Sequence, residues 1–207
     1  MSTVRLESQD LAELFGSPKW HDCTTLADRI RVLDEPLYVH AGIVAAMAKA
    51  VADRIALDEC DRTPLIEAAW LHDIGKLTVS RSILEKPAAL DAAEWTEMRA
   101  HSVRGADFLA SNESIRGAAR LVRHHHERFE GGGYPAGLAG NAIPLGSRII
   151  AIVDAYDAMT TNRPYRHAIS PGAALDELRR CAGTQFDPVI VDAFRSIHPL
   201  LEKGLAS

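Results

Sequence analysis

Apolar residues in this chain recur at intervals of three and four, and no run of β-branched residues alternates with polar ones over the length of a strand. A chain patterned this way can bury its apolar stripes only by packing helix on helix. The sequence therefore predicts an all-α fold, a helical bundle of about seven to nine helices. Helices are expected near 9–15, 22–33, 38–56, 63–73, 91–110, 113–126, 144–160, 171–182 and 188–198. Several carry start or stop signals. Asp91 with Glu94 forms a capping box, Ser170-Pro171 and Asp187-Pro188 put a side-chain acceptor before a first-turn proline, and Gly183 is placed to stop the helix before it. Residues 127–143 interrupt the pattern with Gly131, Gly132, Gly133, Gly137, Gly140 and Pro135, and form the one long irregular segment.

The 207 residues suit one domain with a short leader, read as a helical leader over 1–33 and a working domain over 34–207. With 23 Lys and Arg against 28 Asp and Glu, the formal net charge is −5. A molecule of that charge offers no overall positive field to a nucleic-acid polymer, so a phosphate ligand must be held by local charge. The three cysteines, Cys23, Cys60 and Cys181, lie far apart, which fits a reducing compartment and excludes a sulfur metal site. The N-terminus has no secretory h-region, and the longest apolar stretch, Val39 to Leu57, is broken by Lys49, Asp53 and Arg54. A cytoplasmic protein without a membrane span is expected.

The chemistry is concentrated in histidines and carboxylates. His40 opens the stripe Val44, Met47, Val51, Ile55, and His72-Asp73 ends the apolar run EAAWLHD. His101 sits on the stripe Met98, His101, Gly105, Phe108. His125 and His126 close the helix whose inner face reads Ile115, Ala118, Ala119, Val122, and Asp154 follows Ile150 and Val153. A lone histidine on an apolar stripe is more often a hydrogen-bonded core residue than a ligand. Convergence from five helices weakens that reading, because unpaired buried polar groups are costly. Imidazole and carboxylate together suit first-row metals, and one carboxylate can bridge two ions. His21, His167 and His198 lack such a setting and read as surface or capping residues. His124 stays ambiguous, one step around the helix from its neighbours.

LHDIGK (71–76), HHERFEGGGYP (125–135) and RIIAIVDAYDAMTTNRPYR (148–166), in that order, resemble the HD-GYP family of helical HD-superfamily phosphodiesterases in bacterial cyclic di-GMP signalling. The resemblance runs from about His40 to GTQFDP (183–188). It implies metal ligands at His40, His72, Asp73, His101, His125, His126 and Asp154, with Asp73 bridging. It also implies Lys76 at the scissile phosphate and Arg163 and Arg166 on substrate phosphates. Two transition-metal ions, iron or manganese, follow. A third is not expected, since the family's extra glutamate falls on Pro36, with Glu35 one step away. Glu130 stands where the signature loop usually has aspartate.

The activity so implied is hydrolysis of cyclic di-GMP to pGpG, with a further step to GMP left open, and with Asp73 and Lys76 catalytic. Alternatives are a phosphodiesterase for cyclic GMP-AMP, a nucleotide phosphohydrolase, or a non-catalytic docking module. GGDEF-domain proteins are the implied protein partners. Taken alone, Lys76 reads as a cation at a helix C-terminus and the Arg163/Arg166 pair as a solvated surface pair. Beside HD, Lys76 instead offers an ammonium one turn after His72. Tyr134 offers a face for a base or for packing, and the sequence leaves both open. The glycine loop lacks a GKS or GKT end, which sets aside a Walker-type site.

Overall fold

The computed structural model describes residues 23–162 and 167–205, with side chains as far as His198. Nine helices follow one another in these residues: α1 (Cys23–Leu33), α2 (Glu35–Arg54), α3 (Glu59–Leu71), α4 (Arg81–Leu84), α5 (Ala92–Ala110), α6 (Arg116–Arg123), α7 (Leu145–Thr160), α8 (Pro171–Arg180) and α9 (Pro188–Leu205). Two 3-10 segments, Ile74–Thr78 and Gly140–Ala142, lie between them, and the only extended pairing among the described residues is a single bridge from Ala182 to Phe186. The expected all-α bundle is the fold. The helix expected over 9–15 falls outside the described residues.

α2 runs through the middle, touching α1, α3, α7 and α9, while α5 and α6 pack on each other and α6 on α3. Its inward face alternates small and branched residues, Ala41, Val44, Ala45, Ala48, Val51 and Ala52, all buried, so neighbouring backbones approach closely. Leu65 and Leu71 of α3, Ile149 and Ile150 of α7 and Phe194 of α9 complete a core with no measurable exposure. Burying each such side chain contributes roughly 1.5–3 kcal/mol. Leu26, Ile30 and Leu33 of α1 join the same core. No helix among the described residues is long and apolar enough to cross a membrane.

The capping signals act as read. The Asp91 carboxylate accepts from the Ala93 and Glu94 amides while Glu94 reaches back to the Asp91 amide, and the Ser170 hydroxyl accepts from Ala173 N–H at 3.2 Å. One start signal was not used: α2 begins at Glu35 rather than 38, because Asp34 accepts from Leu37 N–H at 3.0 Å and Pro36 lies in the first turn. Two ends differ in a way that shapes the site. α3 stops at Leu71 and α6 at Arg123, so His72-Asp73 and His125-His126 stand just beyond helix ends rather than within them.

Gly75 explains how the turn after α3 meets α5. A Cβ there would lie 2.0 Å from the His101 carbonyl oxygen and 2.8 Å from Gly105 N. Only glycine allows this backbone contact, which draws His72 and Asp73 against the helix carrying His101.

A candidate metal centre between five elements

Helix C-terminal carbonyls lack intrahelical donors, and the histidines after α3 and α6 supply them. His72 Nδ1–H donates to the Ala69 carbonyl at 2.9 Å, and His125 Nδ1–H to the Val122 carbonyl at 2.6 Å. Within α5, His101 Nδ1–H donates to the Met98 carbonyl at 2.6 Å. His40 Nδ1–H donates instead to Asp157 Oδ2, also at 2.6 Å. A ring that donates through Nδ1 turns a bare Nε2 lone pair the other way.

Those lone pairs converge. His40 Nε2 lies 3.3 Å from His72 Nε2, and His101 Nε2 lies 3.5 Å from His125 Nε2 and 3.2 Å from His126 Nε2. Asp73 stands between the two groups with one oxygen for each. Its Oδ1 is 3.4 Å from His101 Nε2, and its Oδ2 is 3.5 Å from His72 Nε2 and 3.9 Å from His40 Nε2. Asp154 Oδ1 closes the His40–His72 side at 3.2 Å and 4.0 Å. All seven side chains expected as metal ligands are thus brought together.

The donor set fits cations. Facing imidazole lone pairs at these distances repel unless a proton or metal ion lies between them, and Asp73 Oδ1 is buried with no hydrogen-bond partner. Two subsets, Asp73 with His101, His125 and His126, and Asp73 with His40 and His72, each bring their donor atoms within 4.8 Å of one another. Nitrogen and oxygen donors without sulfur suit first-row metals.

The electrostatics follow from burial and these neighbours. Burial opposes the charged form of His40, but hydrogen bonds to Asp154 and Asp157 outweigh it and raise its pKa to about 9. Burial, reinforced by the neighbouring His101, pushes His126 down to about 3. His125 is also driven well below its ordinary value, by burial and then by His126. Burial works against the Asp73 carboxylate, yet Lys76, His72, His101 and His40 hold it well below the usual range. The shifts favour an ionised Asp73 beside neutral His125 and His126, the forms in which each of these side chains can donate to a cation.

Lys76 ion-pairs with Asp73 Oδ2 and keeps 29% of its side chain exposed. It stands in the 3-10 segment and meets Asp73 three residues back, because α3 ends too early for the helical spacing from His72 to apply. Of the two roles open to Tyr134, the structure records packing: its ring stacks on His126 with centroids 4.9 Å apart, and Arg99 lies over it. Arg163 and Arg166 lie outside the described residues. A cleft of about 200 Å³ opens beside His125, His126 and Asp154, with Arg128 and Gln185 on its wall.

Two site residues escaped the sequence reading. Asp157, three residues after Asp154 on the same helical face, orients His40, and that spacing was a usable signal. Glu127 is buried and accepts from the Ala136 and Leu138 amides at 2.8 and 3.1 Å, pinning the glycine loop, and His124 is 3.3 Å from the same carboxylate. Nothing in the spacing of Glu127 marks it. The loop is further tied to residues 184 and 185 through Phe129 and Glu130 amides, and Glu130 also pairs with Arg128. His198 is corrected: it is buried and hydrogen-bonded to the Tyr156 hydroxyl, with Phe194 beside both, whereas His167 is exposed as expected.

Comparison with known proteins agrees with this geometry. The family model described as HD domain matches residues 24–190. The chain is 39% identical over 162 residues to the 3'3'-cGAMP-specific phosphodiesterase 3 of Vibrio cholerae, a match covering 78% of this chain and 35% of that protein. It is 40% identical over 149 residues to the cyclic di-GMP phosphodiesterase response regulator RpfG of Xanthomonas campestris, covering 71% and 39% respectively. The chain therefore spans little more than a third of the length of these relatives. Among solved structures, a cyclic GMP-AMP specific phosphodiesterase of V. cholerae superposes with a TM-score of 0.55 at 31% identity, covering 86% of this chain and 40% of that one. An HDGYP protein from Bdellovibrio bacteriovorus shares the fold with a TM-score of 0.68 at 14% identity, over 92% and 68%. The chain belongs to the HD-domain family, and its motifs and relatives agree with the HD-GYP type within it.

Proposed function

We propose that this chain is a metal-dependent phosphodiesterase that hydrolyses cyclic di-GMP to pGpG and on to GMP. The observation that carries the reading is the sharing of Asp73, one carboxylate oxygen toward His101 and the other toward His40 and His72. The proposed ligands are His40, His72, Asp73, His101, His125, His126 and Asp154, holding two ions of iron or manganese. Ions held by these residues would lower the pKa of a bound water and neutralise charge on a phosphoryl oxygen. Everything else falls to the protein. Asp73 holds the two halves of the site in register, and Nδ1 bonds fix the rings of His40, His72, His101 and His125 so that little reorganisation accompanies substrate entry.

Lys76 brings an ammonium beside Asp73, where it can take a non-bridging phosphate oxygen. Arg163 and Arg166, which follow the helix carrying Asp154, are proposed from the sequence as further phosphate contacts, their forked guanidinium groups suiting a bidentate grip. GGDEF-domain proteins are proposed as partners on the sequence resemblance alone. A second reading keeps the metals and changes the substrate to cyclic GMP-AMP, and the 39% identity to the V. cholerae cGAMP-specific phosphodiesterase 3 favours it.

Elemental analysis of protein prepared anaerobically in metal-replete medium, combined with turnover of cyclic di-GMP, cyclic GMP-AMP and pGpG, tests both. About two ions per chain and turnover of cyclic di-GMP are expected. An ion content near one, or none, would remove the two-ion mechanism. Exclusive turnover of cyclic GMP-AMP would select the second reading.

A further inference from the structure

We propose that Arg99, whose guanidinium lies over the rings of Trp95 and Tyr134, grips the phosphodiester of the cyclic dinucleotide that is not being cut. This rests on the phosphodiesterase reading above and adds a residue to it. The Arg99 guanidinium lies 5.5 Å from the Trp95 ring centroid and 5.4 Å from that of Tyr134. Tyr134 in turn stacks on His126, and His101 follows Arg99 by two residues on α5. The cation therefore stands two ring contacts from the donor cluster, on its rim.

Its neighbour on the same helix is held differently. Arg104 is locked by Glu97 through two bonds of 2.6 and 2.9 Å, and Arg123, Arg128 and Arg148 are each paired with a carboxylate. Arg99 has no carboxylate within 4.0 Å among the described residues, although it is exposed. Contact with aromatic rings engages the faces of a guanidinium and leaves its in-plane N–H edge for an acceptor. Trp95 keeps 46% of its surface exposed, so the cation it touches faces solvent as well as the ring. A cation oriented in advance, with its donor edge unengaged, suits an oxyanion, and a cyclic dinucleotide carries a second phosphodiester that the metal centre does not use.

The bland account is an i, i+4 surface stack of Trp95 and Arg99 that adds a little helix stability. Steady-state kinetics of the manganese-loaded chain separate the two accounts, using cyclic di-GMP and, as a diester with a single phosphate, bis(p-nitrophenyl) phosphate. Arg99→Ala is expected to raise KM for cyclic di-GMP by roughly tenfold or more, with kcat changed less than about twofold. Arg99→Lys should recover part of the loss, since it keeps charge without the planar fork. Trp95→Ala should raise KM in the same direction by a smaller factor. Parental KM in both Arg99 variants overturns the proposal, as does an equal loss with bis(p-nitrophenyl) phosphate, which would mean that the metal centre had been disturbed. A parent chain active on the small diester and inert toward every cyclic dinucleotide would overturn the substrate reading and this proposal with it. Thermal unfolding of each variant identifies any change that is merely structural.

Discussion

The five histidines of the centre are held in two different ways. His72, His101 and His125 each donate through Nδ1 to the carbonyl three residues back, so each ring is oriented by its own turn of chain. His40 and His126 depend on other parts of the molecule, His40 on Asp157, 117 residues away, and His126 on the ring of Tyr134 in the glycine loop. The first three are buried to within 1% of their surface and the other two are partly exposed. The inner rings are thus each oriented by local bonds, whereas the outer ones take their orientation from α7 and the glycine loop. Asp73 touches both, with Oδ1 toward His101 and Oδ2 toward His72 and His40.

That position makes Asp73 the harshest test of the comparison. Asp73→Ala removes an acceptor from each half at once, and turnover should fall by at least ~10³-fold, with ion content dropping by about one or more per chain. Circular dichroism should still report a helical protein, because the core of α2, α3, α7 and α9 does not include this carboxylate. Retained activity in a variant with its full ion content would show that the two halves do not share Asp73.

The division between local and distant support also explains what could be read from the sequence. Helices were legible because capping and periodicity act within a few residues, as Asp91 with Glu94 shows. The convergence of seven side chains was legible because each sits on or just beyond an apolar stripe. Glu127 was not, since a carboxylate that pins amides nine and eleven residues further on leaves no period to detect. His198 was misread for a similar reason: its partner Tyr156 is 42 residues away on another helix. Lys76 reads from the sequence as one helical turn after His72, a spacing that does not apply because α3 ends at Leu71 and Lys76 lies in a 3-10 segment. Short-range physics is written in adjacent residues, and the rest appears only when helices meet.

The outer half should be adjustable by changing its distant supports, which the inner half does not allow. Asp157→Ala leaves His40 Nδ1 without its acceptor, and the loss of such a support typically weakens ion binding by ~10–100-fold. Asp157→Asn keeps an acceptor oxygen and removes only the charge, so its loss should be smaller. Ion titration of the apo protein, followed by activity at saturating metal, measures both. Activity recovered by excess metal fits a positioning role for Asp157. Unchanged ion affinity in the alanine variant would mean that His40 is held as firmly as His72, and the contrast between the halves would fail.

Tyr134 supports the outer half more weakly, through stacking rather than a charged hydrogen bond. An aromatic pair of this kind contributes ~0.5–1.5 kcal/mol beyond the area it buries. Tyr134→Ala should therefore loosen His126 and weaken ion affinity by roughly twofold to tenfold. Tyr134→Phe keeps the ring, and its hydroxyl makes no contact with His126 that the stack needs, so its ion affinity should match the parent's. The corresponding inner ring, His125, has its Nδ1 bond to the Val122 carbonyl and should not respond. Paramagnetically shifted proton NMR signals of a cobalt-substituted protein can distinguish the two rings, because a loosened His126 broadens its own resonances most. Equal broadening at His125 and His126 would show that the loop braces the whole centre, and the inner histidines would then owe their order to the loop as much as to their own helix ends.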